Sequence, residues 1–307
     1  MSWILLQRVN DGPDLVSASV EVSPNPPSIS YTTAHSQPAT AWTASKTASS
    51  PAPLNCSFDP ATLACPTSAS SLSCLSASQL ATARAFYSGA VDPVTHEQLY
   101  PGFVPGSELT WAGEAGIYEQ FATAIFENTW AMNLSYDPLA DFNFHTDVKK
   151  VHDGLGVFID ANSPDLRRFH ARGGKLIVSQ SLADTINPQK FPLDYYTRVQ
   201  TALGGAVDQW FRLFHVPGAH HCGGGPGPNY FDPVPALVDW FEAAAAPNRI
   251  VASKFNDDEF AGGLNRSMPL CPWPKIAMPP PISSASRERS VKERLSDRAA
   301  SKEVLPY

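Results

Sequence analysis

The chain has 307 residues and a mass of 33.1 kDa, room for one large domain or two ordinary ones at ~100–200 residues each. A net charge of -7 and a pI near 5.6 give no basic footprint for nucleic acid, and no apolar run reaches the roughly 18 residues a membrane helix needs. Charged residues make up only 17% and prolines number 29, so much of the chain is expected in loops rather than regular elements.

Residues 1–54 are rich in Ser, Thr, Ala and Pro with no helical or alternating period, and are expected to be disordered. The opening MSWILLQRVNDG is not read as a secretory signal, because Arg8 and Asp11 follow its short apolar stretch and no small-residue cleavage site appears. A globular region follows, divided at 55–150 and 151–278. In the first part, Ser76–Tyr87 has helical apolar spacing with Ser76 or Ser78 as cap. Gly116–Asn128 reads as a helix with Ile117, Phe121, Ile125 and Phe126 on one side.

The second part is more regular. PDLRRFHAR (164–172) is a short helix stopped by Gly173-Gly174, and KLIVSQ (175–180) then has the look of a buried parallel strand. PLDYYTRVQTAL (192–203) is a helix with Pro in its first turn and Gly204-Gly205 at its end. QWFRLFHV (209–216) is the next strand and PVPALVDWFEAAAA (233–246) the next helix. Strand, helix, strand, helix at this spacing predicts a βαβ crossover and an α/β class. Residues 279–307 mix both charge signs without an apolar stripe and are expected to be a disordered tail or a solvated helix.

Functional groups in such a sheet collect just past the carboxyl ends of its strands. Asp184 lies there after KLIVSQ, and His220-His221-Cys222 after QWFRLFHV. The acid precedes the histidine, the order found in α/β-hydrolases, where a carboxylate orients an imidazole that takes a proton from a serine. An ordinary loop aspartate and ordinary loop histidines are the alternative for an isolated Asp and His.

HCGGGPGPNYFD (221–232), together with DLRRFHARGGKLIVSQSLADTINP and DYYTRV, resembles the tannase and feruloyl esterase family. FDPATLAC, Cys74 to Gln79 and YSGAVDPVTHEQLYPGFVPGSE are similar to its lid region, and RSMPLCPWP to its C-terminal close. The resemblance covers about Cys56 to Pro274. It implies an α/β-hydrolase fold, here partial, and serine hydrolysis of small-molecule esters of aromatic acids such as gallate or hydroxycinnamates. Asp184 matches the triad acid, His221 the triad base and Cys222 the cysteine beside that base. It also implies an oxidising, secreted setting, and no nucleic-acid or membrane partner is expected.

Two features depart from the family pattern. No G-x-S-x-G-like elbow occurs, and Ser88, Ser107, Ser179 and Ser181 do not sit between a strand and a helix as a nucleophile must. The Asp- and Gly-rich calcium loop expected before FDP is missing as well, so no cofactor is expected. In the family pattern Cys65 pairs with Cys74, while Cys56, Cys222 and Cys271 are left without partners. A truncated gene product that is inactive alone is therefore expected, since losing a triad serine costs on the order of 10⁶ in kcat.

Three rival readings remain. Trp111, Tyr118, Phe121, Phe126 and Trp130 could line a surface for a phenolic ligand or a protein partner. His215, His220, His221 and Cys222 could hold a metal. Finally, the chain could fail to fold stably because a raw sheet edge is exposed.

Overall fold

A computed structural model describes residues 53–66, 74–108, 111, 121–184, 186–221 and 223–277. Those up to Ile276 belong to one compact unit. A 3-10 turn covers Pro53–Asn55, with Pro53 buried; the expected disordered segments otherwise lie outside the described residues.

Helix α1 (Ala77–Ser88) starts at Ser76, whose side chain accepts from the Gln79 amide while the Gln79 side chain accepts from the Ser76 amide. This reciprocal cap satisfies two otherwise orphaned N–H groups and is worth about 1 kcal/mol. The chain then forms a short antiparallel pair, β1 (Gly89–Val91) and β2 (Gln98–Pro101). In the turn between them Asp92 accepts from the Val94 and Thr95 amides and contacts His145 Nδ1 at 2.9 Å. Gly89 and Gly102 lie too close for any side chain: a Cβ on Gly89 would stand 2.3 Å from the Gly102 nitrogen.

The helix expected over Gly116–Asn128 is described only from Phe121, and continues as a π-helical turn at Phe126–Trp130. Of its expected face Phe126 is buried, whereas Ile125 is 42% exposed. Phe121 is 66% exposed, while Ala122 and Phe126 are buried one turn apart, with Phe126 edge-on to Phe142. Apolar residues lie on both sides of this helix, and the phenylalanines of 142–144 select the side that packs. A helical run from Asp147 through Ile159 then crosses residue 150 without a break.

The βαβ unit follows. Helix α2 (Arg167–Ala171) is shorter than the pattern predicts, and strand β3 (Leu176–Ser181) follows it. Helix α3 (Phe191–Leu203) ends at Gly204 in the left-handed region, φ 73°. Strand β4 (Phe211–Val216) pairs in parallel with β3, Leu176 opposite Phe211 and Ser181 opposite Val216. Helix α4 (Val234–Ala243) is followed by an antiparallel pair, β5 (Ile250–Phe255) and β6 (Leu264–Leu270).

The parallel pair is sandwiched. Phe211, Leu213, Leu176 and Val178 face Tyr196 and Val199 of α3, whereas Phe214, Val216 and Ile177 face Ala236 of α4 and the β5–β6 pair. Alternation along each strand sends successive side chains to these opposite layers. Strand β3 differs from expectation in being half-buried rather than buried. Its only ladder partner among the described residues is β4.

Candidate active site

Pairing between β3 and β4 continues past the strand ends. The Leu182 amide donates to Val216 O at 2.9 Å and the Ala183 amide to Ala219 O at 3.0 Å. These bonds keep the two following loops side by side. Asp184, 4% exposed, sits three residues beyond β3, and His221 five residues beyond β4. His221 Nδ1 lies 3.1 Å from Asp184 Oδ2, and the imidazole side chain is 34% exposed.

The carboxylate is fixed from several directions. Oδ1 accepts from the Ile186 and Asn187 amides at 2.8 and 2.9 Å, a local turn for which aspartate is suited. Oδ2 also accepts from Gln180 Nε2 at 3.3 Å. Behind it, fully buried Gln189 donates to the Asp184 carbonyl and accepts from the Val104 amide at 3.0 Å. A carboxylate in its ionised form only accepts, and against it the imidazole presents Nδ1–H. Nε2 is then the acceptor, which is the arrangement a general base requires.

Pattern reading missed Gln180, Asn187 and Gln189. The Asn187 backbone amide donates to Asp184 Oδ1, and Gln189 joins the upstream segment to the acid loop. Nothing in NPQKFP marks a glutamine destined for complete burial.

The histidines of the rival metal reading diverge. His215 lies within β4 with its ring against Trp273, and burial pushes its pKa down to about 4. His220 has a buried Nε2 with no hydrogen-bond partner among the described residues. Burial, then the Lys254 charge, hold its pKa below the usual histidine value, against the opposing pull of Asp184 and Asp258. Among the described residues no group of three His, Cys, Asp or Glu side chains is placed to hold a metal ion.

The serines considered above have other positions. Ser107 is buried, donating to Val104 O and accepting from Trp111 Nε1. Ser88 closes α1, and Ser179 and Ser181 belong to β3. Cys65 and Cys74 form a disulfide, while Cys56 and Cys271 are free and half-buried. Cys222 and Tyr118 lie outside the described residues. The aromatic surface imagined for a phenolic ligand is largely interior: Trp111 stacks on Phe86 at 4.4 Å, and Trp130 packs against the cluster containing Phe126. Phe121 alone of the described set is widely exposed.

The family model described as tannase and feruloyl esterase matches residues 51–290. The chain belongs to the tannase and feruloyl esterase family. It is 34% identical over 277 residues to an uncharacterised esterase of Xanthomonas campestris, spanning 74% of this chain and 47% of that protein. It is 30% identical to the mono(2-hydroxyethyl) terephthalate hydrolase of Piscinibacter sakaiensis, over 72% of this chain and 43% of that one. Feruloyl esterase B from Aspergillus oryzae superposes with a TM-score of 0.72 at 21% identity, covering 90% of this chain and 57% of its own. The tannin acyl hydrolase from Aspergillus niger does so with a TM-score of 0.63 at 20% identity, over 91% and 57%. These likenesses establish the α/β-hydrolase fold. The chain spans about half the length of the curated family members it matches.

Proposed function

We propose that this chain supplies the acid and the base of a carboxylic ester hydrolase acting on esters of aromatic acids. The observation that carries the reading is the 3.1 Å contact between Asp184 Oδ2 and His221 Nδ1 beyond neighbouring parallel strands. In this reading His221 Nε2 takes the proton of a serine hydroxyl as its oxygen attacks the ester carbonyl. Asp184 holds the tautomer and stabilises the transient imidazolium, which then gives its proton to the departing alcohol. Water enters by the same base to release the acid. The substrate class follows the names of the relatives, which include feruloyl esterases, a tannase and a terephthalate ester hydrolase.

The sequence has no G-x-S-x-G elbow, so the proposal includes that the 307-residue chain alone does not turn over esters. The disulfide supports an oxidising, secreted setting. No helix among the described residues is long and apolar enough to cross a membrane.

Two measurements test the reading. Incubation of the chain with p-nitrophenyl ferulate is expected to release p-nitrophenol no faster than buffer; turnover abolished by His221→Ala would overturn the inactivity. Histidine-selective ¹⁵N NMR is expected to show His221 as the Nδ1–H tautomer, lost in Asp184→Asn because an amide can donate to Nδ1. An unchanged tautomer in that variant overturns the acid–base pair.

A further inference from the structure

Lys254 and Arg266 stand directly opposite each other on β5 and β6. Two cations at facing positions of an antiparallel pair repel, so the arrangement needs compensation. Both side chains find it on the loop that carries His221. Lys254 Nζ donates to Gly225 O at 2.6 Å and pairs with the Asp258 carboxylate, and Arg266 donates to the next carbonyl, that of Pro226. The Lys254 side chain is only 14% exposed. An ammonium so far from water needs such partners to hold its charge.

The loop is a closed object. The Gly227 amide donates to Gly218 O at 2.8 Å, and the His220 amide to Gly224 O at 3.3 Å. Gly225 has φ +82°, and a Cβ there would lie 2.4 Å from Gly218 O and 2.9 Å from the His220 nitrogen. The carbonyls gripped by Lys254 and Arg266 thus belong to a tight ring that has His221 on its other limb. Lys254 also presses its charge on His220, disfavouring an imidazolium beside the one that would share Asp184.

We propose that Lys254 is a positioning residue for His221, strapping the glycine-rich ring to the β5–β6 pair so that Nδ1 stays on Asp184. Arg266 is the second strap. The proposal rests on the Asp184–His221 reading and goes beyond it by making the imidazole's placement depend on a residue outside the acid–base pair.

The test uses the full chain labelled with ¹⁵N-histidine, comparing wild type with Lys254→Met, Lys254→Arg, Arg266→Gln and Asp184→Asn, and recording Tm alongside. Lys254→Met is expected to cost His221 about half or more of its Nδ1–H tautomer, with the other histidines outside the ring unmoved. Lys254→Arg is expected to restore it, and Arg266→Gln to give a smaller loss. A His221 signal unchanged in both Lys254→Met and Arg266→Gln, while Asp184→Asn abolishes it, overturns this inference and leaves the acid–base pair standing. A His221 signal unmoved by Asp184→Asn overturns the pair and the strap together. Collapse of all histidine signals with Tm in Lys254→Met, accompanied by an unchanged His221 in Arg266→Gln, assigns the lysine to stability alone and overturns it too.

Discussion

Gln189 ties Asp184 to Val104: its amide nitrogen donates to the Asp184 carbonyl, and its oxygen accepts from the Val104 amide at 3.0 Å. The glutamine is wholly buried, so neither backbone group has water as a substitute. The acid loop is thereby anchored to a segment 80 residues upstream, 184 − 104.

Gln189→Ala leaves a buried donor and a buried acceptor without partners, each costing about 1–3 kcal/mol. Urea unfolding is expected to show a loss of about 2–6 kcal/mol at unchanged slope. A loss below half a kilocalorie would mean that the loop relaxes onto other partners.

His215 sets an acid limit on stability. Its folded pKa is pushed down to about 4 by burial, whereas an unfolded histidine titrates near ~6.5. Between those values the unfolded chain binds a proton that the folded chain refuses. The contribution is complete above about pH 6.5 and is lost as pH falls toward 4, amounting to about 3 kcal/mol. His215→Phe, with the ring still against Trp273, is expected to flatten the stability profile in that window. Denaturant titrations from pH 7 to pH 4.5 measure it; an equally steep profile in the variant refutes the assignment.

The Cys65–Cys74 bridge closes a loop with a sequence separation of 9. Loop-closure entropy at that length corresponds to about 2–3 kcal/mol. The double replacement Cys65→Ser, Cys74→Ser is expected to lower stability by that amount, and adding a thiol reductant to the double variant to change nothing further.

Trp240 fastens α4 to the sheet. It is buried, with Lys175 Nζ 5.5 Å and the Arg212 guanidinium 5.8 Å from its ring. Trp240→Ala is expected to cost about 3–5 kcal/mol from cavity formation. Trp240→Phe is expected to cost less than half of that, because a ring remains for both cations. Equal losses in the two variants, measured by chemical denaturation, would mean that the indole's shape rather than its aromatic face is what α4 requires.

Legibility in the sequence followed the density of periodic signal. The β3–α3–β4 order was readable because apolar runs are fenced by Gly173-Gly174, Pro192 and Gly204-Gly205, each with a backbone reason to stop or start an element. Ser76 was readable as one of two candidate caps, beside Ser78, for the same local reason. The β1–β2 and β5–β6 pairs were not. The first has strands of three and four residues, and β6 is largely exposed, so neither shows sustained apolar alternation. At the site, Asp184 and His221 were marked by strand ends and by the HCGGGPG resemblance. Gln189, Lys254 and Arg266 make one or two hydrogen bonds each, chiefly to backbone carbonyls and amides, and such contacts leave no period in a sequence.

The contact between Asp184 and His221 spans 37 residues and is built by one crossover, from Leu176 through α3 to the loop after β4. Its closure depends on loop entropy that grows only slowly with length, and on one helix that lies between its ends in the chain. A protein rearranged around that stretch would carry the two side chains along together, but would also have to bring β5, β6 and the Val104 segment to keep the bonds that reach the two loops from outside it.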